Sequence, residues 1–126
     1  MKIAVLLCLA LNVTLILGCG PLRGHVSLPN GYAFEVKKRQ PFLTDPAGKN
    51  ILPASQFMVS GSYVYGWIDK QDKVFFFLNT ETGKITKNLS WHDLDHMTQE
   101  HNVRKFRMKD SITFWDVVSG TKRPNW

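Results

Sequence analysis

A run of five consecutive apolar residues, at positions 74–78, constrains the fold of this chain of 126 residues more than any other feature. The run reads Val-Phe-Phe-Phe-Leu. Because a strand alternates its side chains between two faces, a strand of this composition is apolar on both and must be covered on both. We therefore expect a central strand, with a helix over one face of its sheet and loops or another strand layer over the other.

Turn signals on either side of this run predict an antiparallel meander. Asn30-Gly31 lies between alternating apolar residues and is a strong hairpin signal, because both central residues of a type I′ turn need positive φ. Thr82-Gly83 predicts a second hairpin loop. A turn-rich, exposed connection is expected over residues 37–49. The predicted strands are 25–28, 32–37, 62–69, 73–79, 84–88 and 112–119, and a brief edge strand at 51–53 and a strand at 57–59 are further candidates.

One helix is predicted over residues 91–100. Ser90 is a suitable N-cap, and Asp93 suits the positive end of the helix dipole. Apolar positions recur at helical spacing from Trp91 to His101 and predict a stripe that packs on the sheet. The sequence thus predicts a single α+β domain over residues 25–119, an antiparallel β-meander of five to seven short strands with one packed α-helix, followed by a flexible tail at 120–126.

The N-terminal residues have the proportions of an export signal. Lys2 precedes an apolar stretch of about 15 residues, and Asn12 and Thr14 interrupt it. A membrane-spanning helix needs about 20 apolar residues, so a permanent span is the weaker interpretation. We expect residues 1–18 to be a cleaved signal peptide and residues 19–24 to be a tether.

The end of this stretch, Ile16-Leu17-Gly18-Cys19, resembles the lipobox of bacterial lipoproteins. The resemblance implies that the Cys19 thiol receives a diacylglycerol, that cleavage occurs before it, and that the new amino group is acylated, as with palmitate. Two or three acyl chains would hold the domain firmly on a bilayer. Gly20 follows the cysteine where an aspartate would imply inner-membrane retention. The resemblance therefore implies an outer-membrane protein facing the periplasm in a Gram-negative cell, or anchoring to the single membrane in a Gram-positive one. The alternative is an ordinary cysteine near a conventional cleavage site.

Composition restricts the chain after cleavage. About 108 residues remain, which fit one domain. Cys8 lies in the signal and Cys19 would carry lipid, so no disulfide is expected and packing must hold the fold. Lys2 is the only charge lost, so 15 of the 16 Lys and Arg face all 10 Asp and Glu. Export excludes nucleic acid, and the excess positive charge favours an anionic envelope component or an acidic protein as partner, unless it serves solubility alone.

Several short motifs resemble a group of small uncharacterised bacterial lipoproteins. They are Leu-Pro-Asn-Gly-Tyr at 28–32, the Tyr-x-x-Gly element at 63–66, and Phe-Phe-Leu-Asn-Thr at 76–80 followed by Thr-Gly-Lys at 82–84. The likeness covers residues 26–103. It implies a small anchored domain, and the group carries no activity that could be transferred to this chain.

Two basic stretches are candidate contact sites for an anionic partner. If residues 103–109 are extended, Lys105, Arg107 and Lys109 line one face of a strand while Phe106 and Met108 line the other. The alternative is an edge strand that these charges protect from aggregation. The cluster at 37–39, Lys-Lys-Arg, is the second candidate, and its alternative is a solvated loop.

The helix carries one constellation with a chemical interpretation. His92 and His96 are four residues apart on one face, and the sequence His-Asp-Leu-Asp-His is similar to the two-histidine helix of zinc proteases. Asp93 stands where those enzymes have a glutamate, and only Glu100 or His101 is available as a third ligand. The alternatives are incidental or structural metal binding and a solvated helix face. We predict no catalytic residue and no cofactor.

These observations predict a lipid-anchored cell-envelope protein that binds rather than catalyses. It would contact a protein or an anionic envelope component, as an immunity, exclusion or envelope-assembly protein does. The alternative is a metal-dependent hydrolase centred on His92 and His96. No Gly-x-Ser-x-Gly elbow and no phosphate-binding glycine loop occur in the sequence.

Overall fold

The computed structural model describes residues 24–69, 72 and 74–122. These residues form an antiparallel sheet with one main helix, which confirms the predicted α+β meander. In chain order the elements are β1 (His25–Ser27), β2 (Ala33–Lys37), β3 (Gln40–Thr44), β4 (Asn50–Ser60), β5 (Tyr63–Ile68), β6 (Phe75–Asn79), β7 (Ile85–Leu89), α1 (Trp91–Glu100), β8 (Ile112–Thr113) and α2 (Phe114–Val118), with 3-10 turns at Pro29–Gly31 and Met108–Asp110.

Strands β1 to β7 follow one another in the sheet in chain order, and β8 pairs with β4. The sheet curls on itself at β4, where the pairing register shifts between Ala54 and Phe57. Gly66 of β5 lies where β4 crosses most closely, and a Cβ at this position would overlap the Gln56 carbonyl oxygen. Curling brings the side chains of β1–β3 into one core with those of β5 and β6. In the same core, Phe34 of β2 contacts Phe57 of β4, with ring centroids 4.2 Å apart.

Two apolar cores lie on opposite faces of the sheet, and β6 contributes to both as its composition predicts. Phe76 and Leu78 point into the first core, inside the curl, while Phe75 and Phe77 point into the second core, under α1. The first core comprises Val26, Leu28, Tyr32, Phe34, Leu43, Leu52, Ala54, Phe57, Val59, Val64, Ile68, Phe76, Leu78 and Phe114, and the second comprises Met58, Tyr65, Phe75, Phe77, Leu89, Leu94 and Phe106.

The predicted hairpin between β1 and β2 is confirmed. Asn30 (φ 58°, ψ 33°) and Gly31 (φ 84°) occupy the centre of a type I′ turn that the Tyr32 amide closes by donating to the Pro29 carbonyl. Tyr32, Phe34 and Val36 all face the first core.

Helix α1 has the predicted boundaries because Ser90 and Asp93 form a capping box. The Asp93 amide donates to Ser90 Oγ across 3.1 Å, and the Ser90 amide donates to Asp93 Oδ2 across 3.3 Å. Leu94 is buried against the sheet, and Met97 packs beside it. The stripe from Trp91 to His101 therefore lies on the second core, as predicted.

Two predictions for the first half of the sheet are wrong. Residues 40–44, assigned to an exposed connection, form β3, because Leu43 and Thr44 are fully buried between β2 and β4. The separate strands predicted at 51–53 and 57–59 are parts of one 11-residue strand, β4, that lies inside the sheet. Pro53 indicated an edge, but the bend that follows it accommodates a residue without an amide donor.

The strand predicted over residues 112–119 is also wrong. It ends after two residues, and α2 begins at Phe114 because Thr113 and Asp116 form a second capping box, with bonds of 3.0 Å in both directions. The tail predicted to be flexible starts by folding back, since the Lys122 amide donates to the Asp116 carbonyl across 3.2 Å. Residues 123–126 lie outside the described part of the chain.

Candidate functional site

The candidate site is the stretch of residues 104–109, which we call the basic segment. The extended conformation considered for residues 103–109 does not form a strand. No strand of the described part of the chain pairs with these residues, and the backbone is irregular up to the 3-10 turn Met108–Asp110. Of the two apolar residues that alternate with the basic ones, only Phe106 is buried against the domain, whereas Met108 is 42% exposed. One buried side chain without a hydrogen-bonding neighbour does not sustain a strand.

Phe106 holds the basic segment on the second core. Its ring meets the rings of Phe75 at 5.7 Å, Trp91 at 5.9 Å and Tyr65 at 6.5 Å, each edge-on. Edge-to-face packing at these separations is favourable beyond the area buried. The segment is thus fixed at its middle residue although its backbone is irregular.

Hydrogen bonds fix the segment at its start. The Tyr65 hydroxyl donates to the Arg104 carbonyl, and the Arg104 guanidinium donates to the Val59 carbonyl across 3.1 Å. Burial raises the pKa of the Tyr65 phenol, with the Arg104 charge and a hydrogen bond with Ser60 opposing that rise. The hydroxyl therefore keeps its proton at neutral pH and remains a donor.

The segment borders a cleft of about 230 Å³ lined by Met58, Arg104, Lys105, Arg107 and Asp110. Three cations face one carboxylate there, so the cleft favours an anion. An arginine can bind a phosphate or carboxylate through two parallel hydrogen bonds. The arrangement therefore suits binding of an anionic group.

The three predicted contact residues are placed differently from one another. Lys105 and Arg107 both line the cleft, whereas Lys109 is exposed in the 3-10 turn and is not part of the lining. Lys105 also lies 3.7 Å from the Asp95 carboxylate, whose Oδ1 is buried and accepts no hydrogen bond within the described residues. At that distance the contact is an ion pair rather than a hydrogen bond. Arg107 is thus the cleft cation whose charge is most available to a ligand.

The predicted metal candidates do not form a cluster. His92, His96 and Glu100 are exposed, and the closest approach, between His96 Nε2 and Glu100 Oε2, is 3.9 Å. His101 faces the other way, with its ring 5.0 Å from that of Phe77 and its Nδ1 against the Met97 carbonyl. Among the described residues, no group of three or more His, Cys, Asp or Glu could hold a metal ion.

Asp93, at the position of a protease general base, serves as the helix cap. Hydrogen bonding with Ser90, through its side chain and then its backbone, lowers the pKa of the Asp93 carboxyl. A carboxylate whose proton affinity is lowered in this way is a poorer base. The structure thus assigns Asp93 a structural role that accounts for its position.

Two features of the surface were missed by the sequence analysis. Trp115 was placed in a strand, but it is 51% exposed on α2. Thr113 and Asp116 have the spacing of a capping box, so the start of α2 was recognisable. The role of Arg104 was not recognisable, because its partners Tyr65 and Val59 are 39 and 45 residues away.

The predicted lipidation site, Cys19, lies outside the described residues, as do the predicted signal peptide and the predicted tether before Gly24. Within the part of the chain that the structure describes, no helix is long and apolar enough to cross a membrane. Comparison of the chain with protein-family models, with curated proteins and with solved structures finds no match.

Proposed function

We propose that this protein is anchored to the cell envelope by lipid on Cys19 and acts by binding, with the basic segment contacting a protein or an anionic envelope component. The proposal rests on the observation that an exposed cationic side chain lies on a segment that is held in place. Arg107 is exposed, yet the segment that presents it is held by the buried Phe106 ring and by the Tyr65 hydroxyl. A preordered cation loses less conformational entropy on binding.

Exposed apolar side chains next to the basic segment support a protein as partner. Trp91 is 43% exposed and lies edge-on to Phe106, and Met108 belongs to the segment itself. Tryptophan, methionine and arginine are enriched at protein interfaces. An acidic protein surface would satisfy both the charge and the apolar contacts. Such a contact is what we would expect of an immunity, exclusion or envelope-assembly protein.

The lipid anchor is supported by the residues of the lipobox, Ile16-Leu17-Gly18-Cys19, and by the apolar stretch before them. Anchoring confines the domain to the membrane surface, where a partner at low abundance is met more often. The anchor can be tested by metabolic labelling with an alkyne fatty acid, with Cys19→Ser as the control. Absence of label on the wild-type chain would end this part of the proposal.

The binding surface can be tested by site-specific photocrosslinking in intact cells. A photoreactive residue at Met108 is expected to capture a partner, whereas the same residue at Lys87, exposed on β7, is not. Replacing Lys105, Arg107 and Lys109 by Gln should strongly reduce capture. The matched control replaces the exposed lysines Lys49, Lys84 and Lys87 by Gln.

Capture that survives in the first triple variant would show that the basic segment is not the contact. Binding of the captured partner should also lose much of its salt dependence in the first triple variant and keep it in the control, because screening acts on the charges that make the contact.

A further inference from the structure

The described chain begins next to α2. Gly24 packs so closely under the Phe114 ring that a Cβ at this position would overlap it, and Val118 lies beside it. Because Cys19 precedes Gly24 by five residues, the chain between them can span about 18 Å at most. A lipid on Cys19 would therefore keep α2 within that distance of the bilayer surface.

Trp115 is the residue that α2 presents to solvent. It is 51% exposed, and its ring stands edge-on to that of Phe114, with centroids 5.1 Å apart. Phe114 is buried in the first core, and the capping box of Thr113 and Asp116 fixes the start of the helix. The indole is thus held outward by a rigid support rather than by a loose loop.

Two cations occupy the same end of the sheet. The register pairs His25 with Glu35 and Lys37 with Gln40, so the β2–β3 turn projects past the first residue of β1, where Gly24 lies. Lys38 (φ 53°) and Arg39 (φ 65°) are the two central residues of this turn, a conformation that side chains other than glycine and asparagine seldom adopt. The tight turn leaves both side chains exposed.

Arg39 and Trp115 are neighbours across a cleft of about 260 Å³, which Gln40, Ser55, Asp69 and Thr113 also line. Among the described residues that line the cleft, Asp69 is the one acidic residue. Lys38 precedes Arg39 in the same turn. An exposed indole with two exposed cations at the same end of the domain favours a membrane interface, since tryptophan concentrates at the headgroup level and basic residues are attracted to anionic lipids.

We propose that the end of the domain formed by Lys38, Arg39 and Trp115, which we call the membrane end, rests on an anionic phospholipid surface with the indole among the headgroups. This orientation rests on the proposed lipid at Cys19. It leaves the basic segment available to a separate partner, because Phe106 anchors that segment on the second core whereas Phe114 anchors α2 in the first.

The orientation is testable with the full-length lipoprotein, purified after export and placed in vesicles of neutral phosphatidylcholine with or without phosphatidylglycerol. A polarity-sensitive fluorophore is attached to Trp115→Cys, and in a second sample to Ala47→Cys. Ala47 is exposed in the β3–β4 turn, at the opposite end of β3 from Arg39. If Cys8 is removed and Cys19 is acylated, each variant carries one reactive thiol.

The expected result is a blue shift and a several-fold rise in emission at position 115 that grows with the phosphatidylglycerol content, with no change at position 47. Lys38→Asn with Arg39→Asn should abolish the dependence on phosphatidylglycerol, because asparagine tolerates positive φ and only the charge is lost. Lys84→Asn with Lys87→Asn, on the β6–β7 hairpin, should leave it intact.

Mass spectrometry of the same samples separates this inference from the proposed function. Lipid on Cys19 with a water-like signal at position 115, or with equal shifts at 115 and 47, would overturn the orientation and leave the anchor standing. A chain without lipid would overturn both. If Trp115→Cys fails to fold, quenching of tryptophan emission by brominated lipids replaces the label, and the orientation is wrong if Trp115→Phe is quenched as strongly as the wild type.

Discussion

The side-chain amide of Asn30 donates a hydrogen bond of 2.9 Å to the hydroxyl oxygen of Thr80. Fifty residues separate the two, and the bond joins the β1–β2 turn to the turn after β6. The Thr80 hydroxyl in turn donates to the Ser62 carbonyl, which brings in the β4–β5 turn. Two hydrogen bonds therefore connect three turns. They lie at the side of the curl where, among the described strands, β1 and β6 are not paired.

Substitutions at Asn30 should separate this hydrogen bond from the backbone conformation. Asn30→Gly keeps the positive φ and loses the bond, so it should lower the free energy of unfolding by about 1 kcal/mol. Asn30→Ala should cost about 1–2 kcal/mol more, because alanine is strained at positive φ. Urea unfolding of the two variants and the wild type measures both differences. Equal stability of Asn30→Gly and wild type would show that the bond between the turns contributes nothing.

Acidification should destabilise the two capping boxes. Hydrogen bonds from Ser90 and from Thr113 lower the pKa of Asp93 and of Asp116, respectively, below the usual value of 3.8. A lowered carboxyl pKa contributes stability that is complete above 3.8 and is lost as the pH falls below that value through the folded-state pKa. The stability difference between pH 6 and pH 3 should therefore be smaller in Asp93→Asn with Asp116→Asn than in wild type.

Asp72→Asn is the control for this experiment, because Asp72 is exposed and belongs to neither helix. It should leave the difference between the two pH values as large as in wild type. The capping assignment would be contradicted if Asp93→Asn with Asp116→Asn lost as much stability between pH 6 and pH 3 as wild type does.

Removal of the Tyr65 hydroxyl should loosen the basic segment without unfolding the domain. Tyr65→Phe retains the ring between Phe77 and Phe106. It loses the hydrogen bonds of the hydroxyl to the Arg104 carbonyl and with Ser60, so it should cost about 1–2 kcal/mol. Faster amide exchange is expected in residues 104–109, with little change in β5. Partner capture from position 108 should fall, since the cations are no longer preordered. Unchanged exchange in the segment would argue against preorganisation by Tyr65.

We expect that His92 and His96, on the exposed side of α1, do not bind zinc. His92→Ala with His96→Ala is expected to leave the zinc content of the purified protein unchanged, measured by atomic emission, because Asp93 is occupied as a cap and His101 packs against Tyr63 and Phe77. His25→Ala controls for incidental binding by an exposed histidine. Stoichiometric zinc in wild type that disappears in the double variant would instead support the metal-dependent hydrolase.

Features that neighbouring residues specify were determined by the sequence alone. The alternation of Phe75, Phe76 and Phe77 requires cover on both faces of β6, and the structure supplies a core on each. The Asn30-Gly31 turn and the Ser90 N-cap are likewise local, because a few consecutive residues satisfy their own hydrogen bonds and backbone requirements. For these features the predicted and observed positions agree.

Only the tertiary structure decided how distant residues meet. Residues 104–109 could form a strand only beside another strand that pairs with them. The curl at β4 instead places the Tyr65 hydroxyl and the Val59 carbonyl next to Arg104. The same curl buries Leu43 and leaves Trp115 outside. Alternating polarity indicates which side chains share a face, but whether that face is buried depends on which other parts of the chain pack against it. Hydrogen bonds between residues 39 to 50 positions apart cannot be predicted from the neighbouring sequence.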